Sequence, residues 1–182
     1  MRRLPLLSLL VIALVATPGV ATAAPNDGFT APTDLVSGAA PTAADNVDTT
    51  SEPGEPDPGN LAWPDCAALT SRPECGSTVW FTFTAPTTAS YVIETCDVSN
   101  ELDTLLTVFT GSAVGALSQV ASNDDACDGG GGAYGSRVTI SATAGVQYRV
   151  QVAGYQGLTG TFYIRAYPSS SPPGSPPADT RI

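Results

Sequence analysis

Ser77-Thr78-Val79-Trp80-Phe81-Thr82-Phe83-Thr84-Ala85-Pro86 is the stretch that decides the fold. Val79, Phe81 and Phe83 alternate with Thr78, Thr82 and Thr84, the period of two that a half-buried strand imposes on its side chains. β-branched and aromatic residues fill the run, as strands prefer. Ala85-Pro86 ends it, because proline brings no N–H to a ladder. Trp80 is expected to pack in the ordinary way.

Outward from this run, the same composition predicts strands over 91–95, 105–109, 117–121, 137–143, 147–154 and 161–167. Thr110-Gly111 and Ala144-Gly145 punctuate them as turns. No stretch sustains a helical period with caps. Strands spaced about ten residues apart predict an all-β chain folded as a single antiparallel β-sandwich, jelly-roll-like in architecture. Each sheet is expected to bury one face and wet the other.

The ends read differently. Arg2 and Arg3, the apolar run Leu4 to Val15 and the small residues Ala21-Thr22-Ala23 have the order of a secretory signal peptide. Residues 1–23 are therefore expected to be removed near Ala23 and the chain to be secreted. The apolar run is shorter than the roughly 20 residues that span a bilayer, so no membrane anchor is expected. Residues 24–60 form an acidic segment that joins the sandwich; Phe29 and Leu35-Val36 could pin it to a sheet edge, with short strands near 34–37 and 46–50. Residues 61–167 are the sandwich core. Residues 168–182 are a Pro/Ser-rich tail whose composition predicts disorder.

Charge excludes several functions. Seventeen acidic residues face seven arginines, with no lysine and no histidine, for a net charge of −10. Such a surface repels phosphate backbones, which argues against nucleic acid as a partner. Without histidine or lysine, Ser-His-Asp, Cys-His and Ser-Lys catalysis and Schiff bases cannot be built. Glu94, Glu101 or Asp103 paired with Asp124 could in principle hydrolyse a glycoside. Surface or cation-binding acids are the better reading, so no enzyme is expected, and the chain is expected to be a monomer.

Cys66, Cys75, Cys96 and Cys127 are most simply two disulfides in an exported chain. Of the three possible pairings, Cys66–Cys75 and Cys96–Cys127 are favoured: the first closes a short loop, the second ties a strand end to an acidic loop. That loop, Ser122-Asn123-Asp124-Asp125-Ala126-Cys127-Asp128, runs into Gly129–Gly132. Gly130 to Gly135 formally matches G-x-G-x-x-G, but a strand pattern follows where the dinucleotide motif needs a helix. An EF-hand fails as well, because position 12 counted from Asp124 is Gly135. Seven acids lie between Glu94 and Asp128, with no arginine between Arg72 and Arg137. Oxygen ligands gathered from separate loops suit Ca2+ in a different geometry.

The order of motifs resembles the bacterial pre-peptidase C-terminal (PPC-like) domain family. It runs Asn26-Asp27-x-Phe29, Ser51-Glu52-Pro53-Gly54-Glu55-Pro56, the 77–86 strand, Glu94-Thr95-Cys96, Leu102-Asp103-Thr104, Asn123-Asp124-Asp125 and Val152-Ala153-Gly154-Tyr155. The resemblance implies a jelly-roll-like sandwich of the kind appended to secreted hydrolases. It implies calcium held by an acidic N-terminal segment, binding of collagen or polysaccharide, or a part in secretion and maturation. Its motifs place Glu52, Glu55, Asp103, Asn123, Asp124 and Asp125 as the metal set. Leu102 departs from the family's usual Phe, and the glycine run is longer than usual. The expected role is a non-catalytic, calcium-stabilised module that binds an extracellular polysaccharide or protein through Trp63, Tyr163 and Tyr167. The alternative is a purely structural or maturation module.

Overall fold

The computed structural model describes residues 23–58, 77–97, 99–128 and 134–169. The expected signal peptide up to residue 22, Trp63, Cys66, Cys75, the Gly129–Gly132 run and the tail from 170 onward lie outside them. The strands are β1 (Thr33–Leu35), β2 (Thr42–Asp45), β3 (Thr78–Thr84), β4 (Ala89–Glu94), β5 (Thr104–Thr110) and β6 (Ser118–Asn123), followed by β7 (Cys127–Asp128), β8 (Tyr134–Gly135), β9 (Arg137–Ala142), β10 (Gln147–Gly154) and β11 (Thr161–Pro168). Five form one sheet in the order β1-β3-β10-β5-β6, and four form a second in the order β2-β11-β4-β9. β7 and β8 make a small ladder of their own. Among the described residues no helix is long and apolar enough to cross a membrane.

Register explains why the alternation produces one core. β10 lies between β3 and β5, with Val150 opposite both Phe81 and Val108, and Val152 opposite both Val79 and Leu106. In the other sheet Ile93 is opposite Val138 and Ala166, and Tyr91 is opposite Ile140. The two inner faces meet through Phe81 on Phe162, centroids 6.2 Å apart, and Phe83 on Tyr91 at 5.0 Å. Each such side chain contributes about 1.5–3 kcal/mol on full burial.

The acidic segment is part of the sandwich. β1 joins β3 in parallel, Leu35 opposite Phe83, a departure from the expected antiparallel order. The chain then crosses to the second sheet: Ser37 bridges Ala166, and β2 pairs antiparallel with β11, Asp45 opposite Thr161. The strand expected over 46–50 is replaced by β2 at 42–45. Asn46 is fully buried, and its amide binds the carbonyls of Ser77 and Leu158 and the N–H of Gly160. At Asp48 the backbone turns left-handed, φ 57°, which an extended strand cannot contain.

Before β1, and again beyond that turn, the segment lies on the outer face of the five-stranded sheet. Phe29 meets the Trp80 ring edge-on at 5.0 Å, and Asn26 exchanges two hydrogen bonds with the Trp80 backbone. Thr78 and Thr82 are buried in consequence. The face expected to be wet is dry along β3, because a polar segment supplies the hydrogen bonds that water would have made.

Candidate cation site

Antiparallel pairing of β5 and β6 places Leu106 opposite Asn123. The residue just before β5, Asp103, is thereby brought beside the two that follow β6, Asp124 and Asp125. One carboxylate oxygen from each of these three residues lies within 4.8 Å of the others.

A buried polar network fixes this geometry. Thr95, Thr104 and Ser136 are fully buried. The Thr95 and Thr104 hydroxyls are 2.5 Å apart, and both accept from the Ser136 N–H. The Ser136 hydroxyl reaches the Thr104 carbonyl and, at 2.6 Å, the carbonyl of Asp124. Asn123 Oδ1 accepts from the Arg137 N–H at 2.9 Å, and the Asp103 carbonyl accepts from the Tyr155 N–H at 2.8 Å. The Cys96–Cys127 disulfide, Cα atoms 5.8 Å apart, closes the loop from below, in the pairing expected from sequence. A side chain at Gly135 would bring its Cβ to 2.6 Å from the Thr95 carbonyl and 2.8 Å from Cys127 Sγ, so this crossing requires glycine.

The electrostatics of the three carboxylates are unbalanced. Asp103 Oδ1 and Asp124 Oδ1 are buried and have no hydrogen-bond partner. Burial, reinforced by the charges of Asp125 and Asp124, pushes the Asp103 carboxyl up to about 6. Burial and then Asp125 raise that of Asp124. Among the described residues there are three arginines, each engaged elsewhere. Arg137 and Arg165 hold Glu94, and Arg149 lies over the Phe29 ring at 4.4 Å.

The other residues expected at a metal or ligand site are placed as follows. Glu52 and Glu55 do not join the carboxylate group. Glu52 Oε2 accepts from the Phe29 N–H at 2.6 Å. Glu55 accepts from Trp80 Nε1 at 2.6 Å and from the Thr78 hydroxyl at 3.0 Å, and burial raises its pKa. Both hold the acidic segment on the sheet. Asn123 binds backbone through its side-chain oxygen, as described. Tyr163 is half-buried, and Tyr167 is only 8 % exposed, with the Arg165 guanidinium 5.1 Å from its ring centroid. The Thr95–Thr104–Ser136 network and the Glu94–arginine cluster were not foreseen, since no local pattern marks residues that meet only through strand register.

Comparison with family models, with curated proteins and with solved structures gives no match.

Proposed function

We propose that the chain is an exported, non-catalytic β-sandwich module, of the pre-peptidase C-terminal kind, that takes a calcium ion at Asp103, Asp124 and Asp125 and adheres to an extracellular polymer. The observation that carries the cation is the pair of buried, unpartnered oxygens, Asp103 Oδ1 and Asp124 Oδ1, within a three-carboxylate group. Leaving buried carboxylate oxygens without a partner is costly. Calcium binds oxygen at about 2.3–2.6 Å, so two of its ligands lie at most about 5 Å apart. The 4.8 Å limit on this group fits that span. Water and backbone oxygens would complete the six to eight ligands that calcium accepts.

Calorimetric titration of the metal-free chain with Ca2+, alongside thermal melts in Ca2+ and in EDTA, tests the site. Binding that raises the melting temperature and is lost in Asp124→Asn is expected. An unchanged melt and no heat of binding would refute the site. Pull-down on chitin, cellulose, collagen and acidic polysaccharides tests adhesion.

One observation favours a second reading, a structural or maturation module without a ligand of its own: Tyr167, expected to be exposed, is buried. Absence of binding to every polymer in the pull-down would select that reading.

A further inference from the structure

On the outer face of the four-stranded sheet, three charged residues stand in one cross-strand row. Arg165 of β11 is opposite Glu94 of β4, which is opposite Arg137 of β9. Glu94 is fully buried beneath the two guanidinium groups. Arg165 holds Glu94 Oε1 with Nε at 2.7 Å and Nη2 at 2.5 Å. Arg137 touches Oε2 through Nε, at 2.5 Å, and its side chain is 35 % exposed. The bond to Glu94 Oε2 runs through Nε, so it does not itself engage the two terminal amino groups. They form the parallel fork that arginine offers to carboxylate and sulfate oxygens. The row carries two positive charges and one negative, in a chain whose net charge is −10.

The surroundings select the class of ligand. Thr139 and Ser141 follow Arg137 along the same face of β9 and are exposed, as is Ser90 opposite Ser141. Half-buried Tyr163 precedes Arg165 on β11. None of the exposed large hydrophobic residues among the described residues lies on β4, β9 or β11. A protein partner would need a buried apolar anchor there. Exposed hydroxyls at Thr139, Ser141 and Ser90 beside a partly exposed guanidinium match a charged sugar chain.

We propose that the Arg165–Glu94–Arg137 row binds the carboxylate or sulfate groups of an anionic polysaccharide. This rests on the reading of the chain as a polymer-binding module, and it names the polymer's chemistry. Asp45, opposite Thr161 on the same sheet, closes the far end of the face to anions. The carboxylate group at Asp124 lies across Asn123 from the Arg137 backbone, so binding is measured with calcium present to offset its repulsion.

The experiment titrates the full secreted chain with polygalacturonate, dextran sulfate and uncharged dextran. Binding to at least one anionic polymer, weakening with salt, and none to dextran is expected; comparison of the two anionic polymers separates carboxylate from sulfate recognition. Arg137→Gln should weaken binding about tenfold, the loss of one charge-assisted contact. Because Arg137 also holds Glu94, Thr139→Glu serves as a second variant, adding a repelling charge at an exposed position; it should weaken binding and leave the melting temperature unchanged. Equal binding to dextran, or anionic binding indifferent to Thr139→Glu in a folded protein, would overturn this proposal while leaving polymer adhesion standing. Binding to none of these polymers nor to any in the wider pull-down would overturn both. Binding only to an acidic polypeptide such as polyglutamate would place a protein on this face instead.

Discussion

The Ser136 hydroxyl lies 2.6 Å from the carbonyl oxygen of Asp124, so one buried side chain ties the sandwich interior to the carboxylate loop. The same hydroxyl reaches the Thr104 carbonyl, next in sequence to Asp103. Ser136 therefore spans the two chain segments whose carboxylates converge.

Ser136→Ala is expected to lower stability by about 1–3 kcal/mol, the cost of leaving a buried acceptor unmet. It should also weaken calcium binding, because Asp103 and Asp124 lose their shared anchor. Urea unfolding and calcium titration of the variant measure the two effects separately.

Asp103 gives the pH dependence its sign. Its folded pKa is raised, from 3.8 to about 6, so the folded chain holds this proton more tightly than the unfolded one. The contribution is fully present below pH 3.8 and lost as pH rises through about 6. In EDTA, the stability of the natural chain relative to Asp103→Asn should fall between pH 4 and pH 6.5. With calcium present the trend should reverse, since the metal takes the ionised carboxylate. Paired melts across that range check both slopes.

Removing Glu94 should be among the most damaging single changes. Glu94→Ala leaves Arg137 and Arg165 side by side without their shared carboxylate. Breaking a buried ion pair from one side costs about 3–5 kcal/mol. Partial exposure of both arginines points to the lower end of that range. A shifted urea midpoint at unchanged slope is the expected readout.

The Cys96–Cys127 bond closes a loop with a sequence separation of 31. Chain-entropy reasoning gives a bond of this span about 3–4 kcal/mol. The double variant Cys96→Ala, Cys127→Ala should melt lower by a matching amount and bind calcium more weakly, because Cys127 lies two residues beyond Asp125. Reduction of the natural chain should lower its melting temperature by at least as much, since it opens every disulfide present.

Alternation made β3, β9 and β11 legible in the sequence, because Val79, Phe81 and Phe83, or Phe162 and Ile164, have only one way to share a dry face. The acidic segment was harder to read. Thr42-Ala43-Ala44-Asp45 has no apolar alternation, and it becomes a strand because β11 offers it an edge. Trp80 broke the rule of one wet face, since its indole is covered by Phe29 and bonded to Glu55. Asp103, Asp124 and Asp125 converge through the pairing of β5 with β6. Glu52 and Glu55 do not join them, because a carboxylate accepts a backbone or indole N–H as readily as it ligates a cation, and sequence cannot say which will be near. The Arg165–Glu94–Arg137 row was invisible for a related reason: it exists only through the register of three strands far apart in the chain.

The pairing of β2 with β11 also sets an order of events. Residues 42–45 emerge early from the ribosome, yet their partners at 161–164 emerge late. Asn46 likewise waits for Leu158 and Gly160. Until those residues arrive, the first part of the chain has no lateral partner in the second sheet, and contacts of such long range form slowly. A chain whose second strand pairs with its last completes its second sheet only once the whole domain has been made.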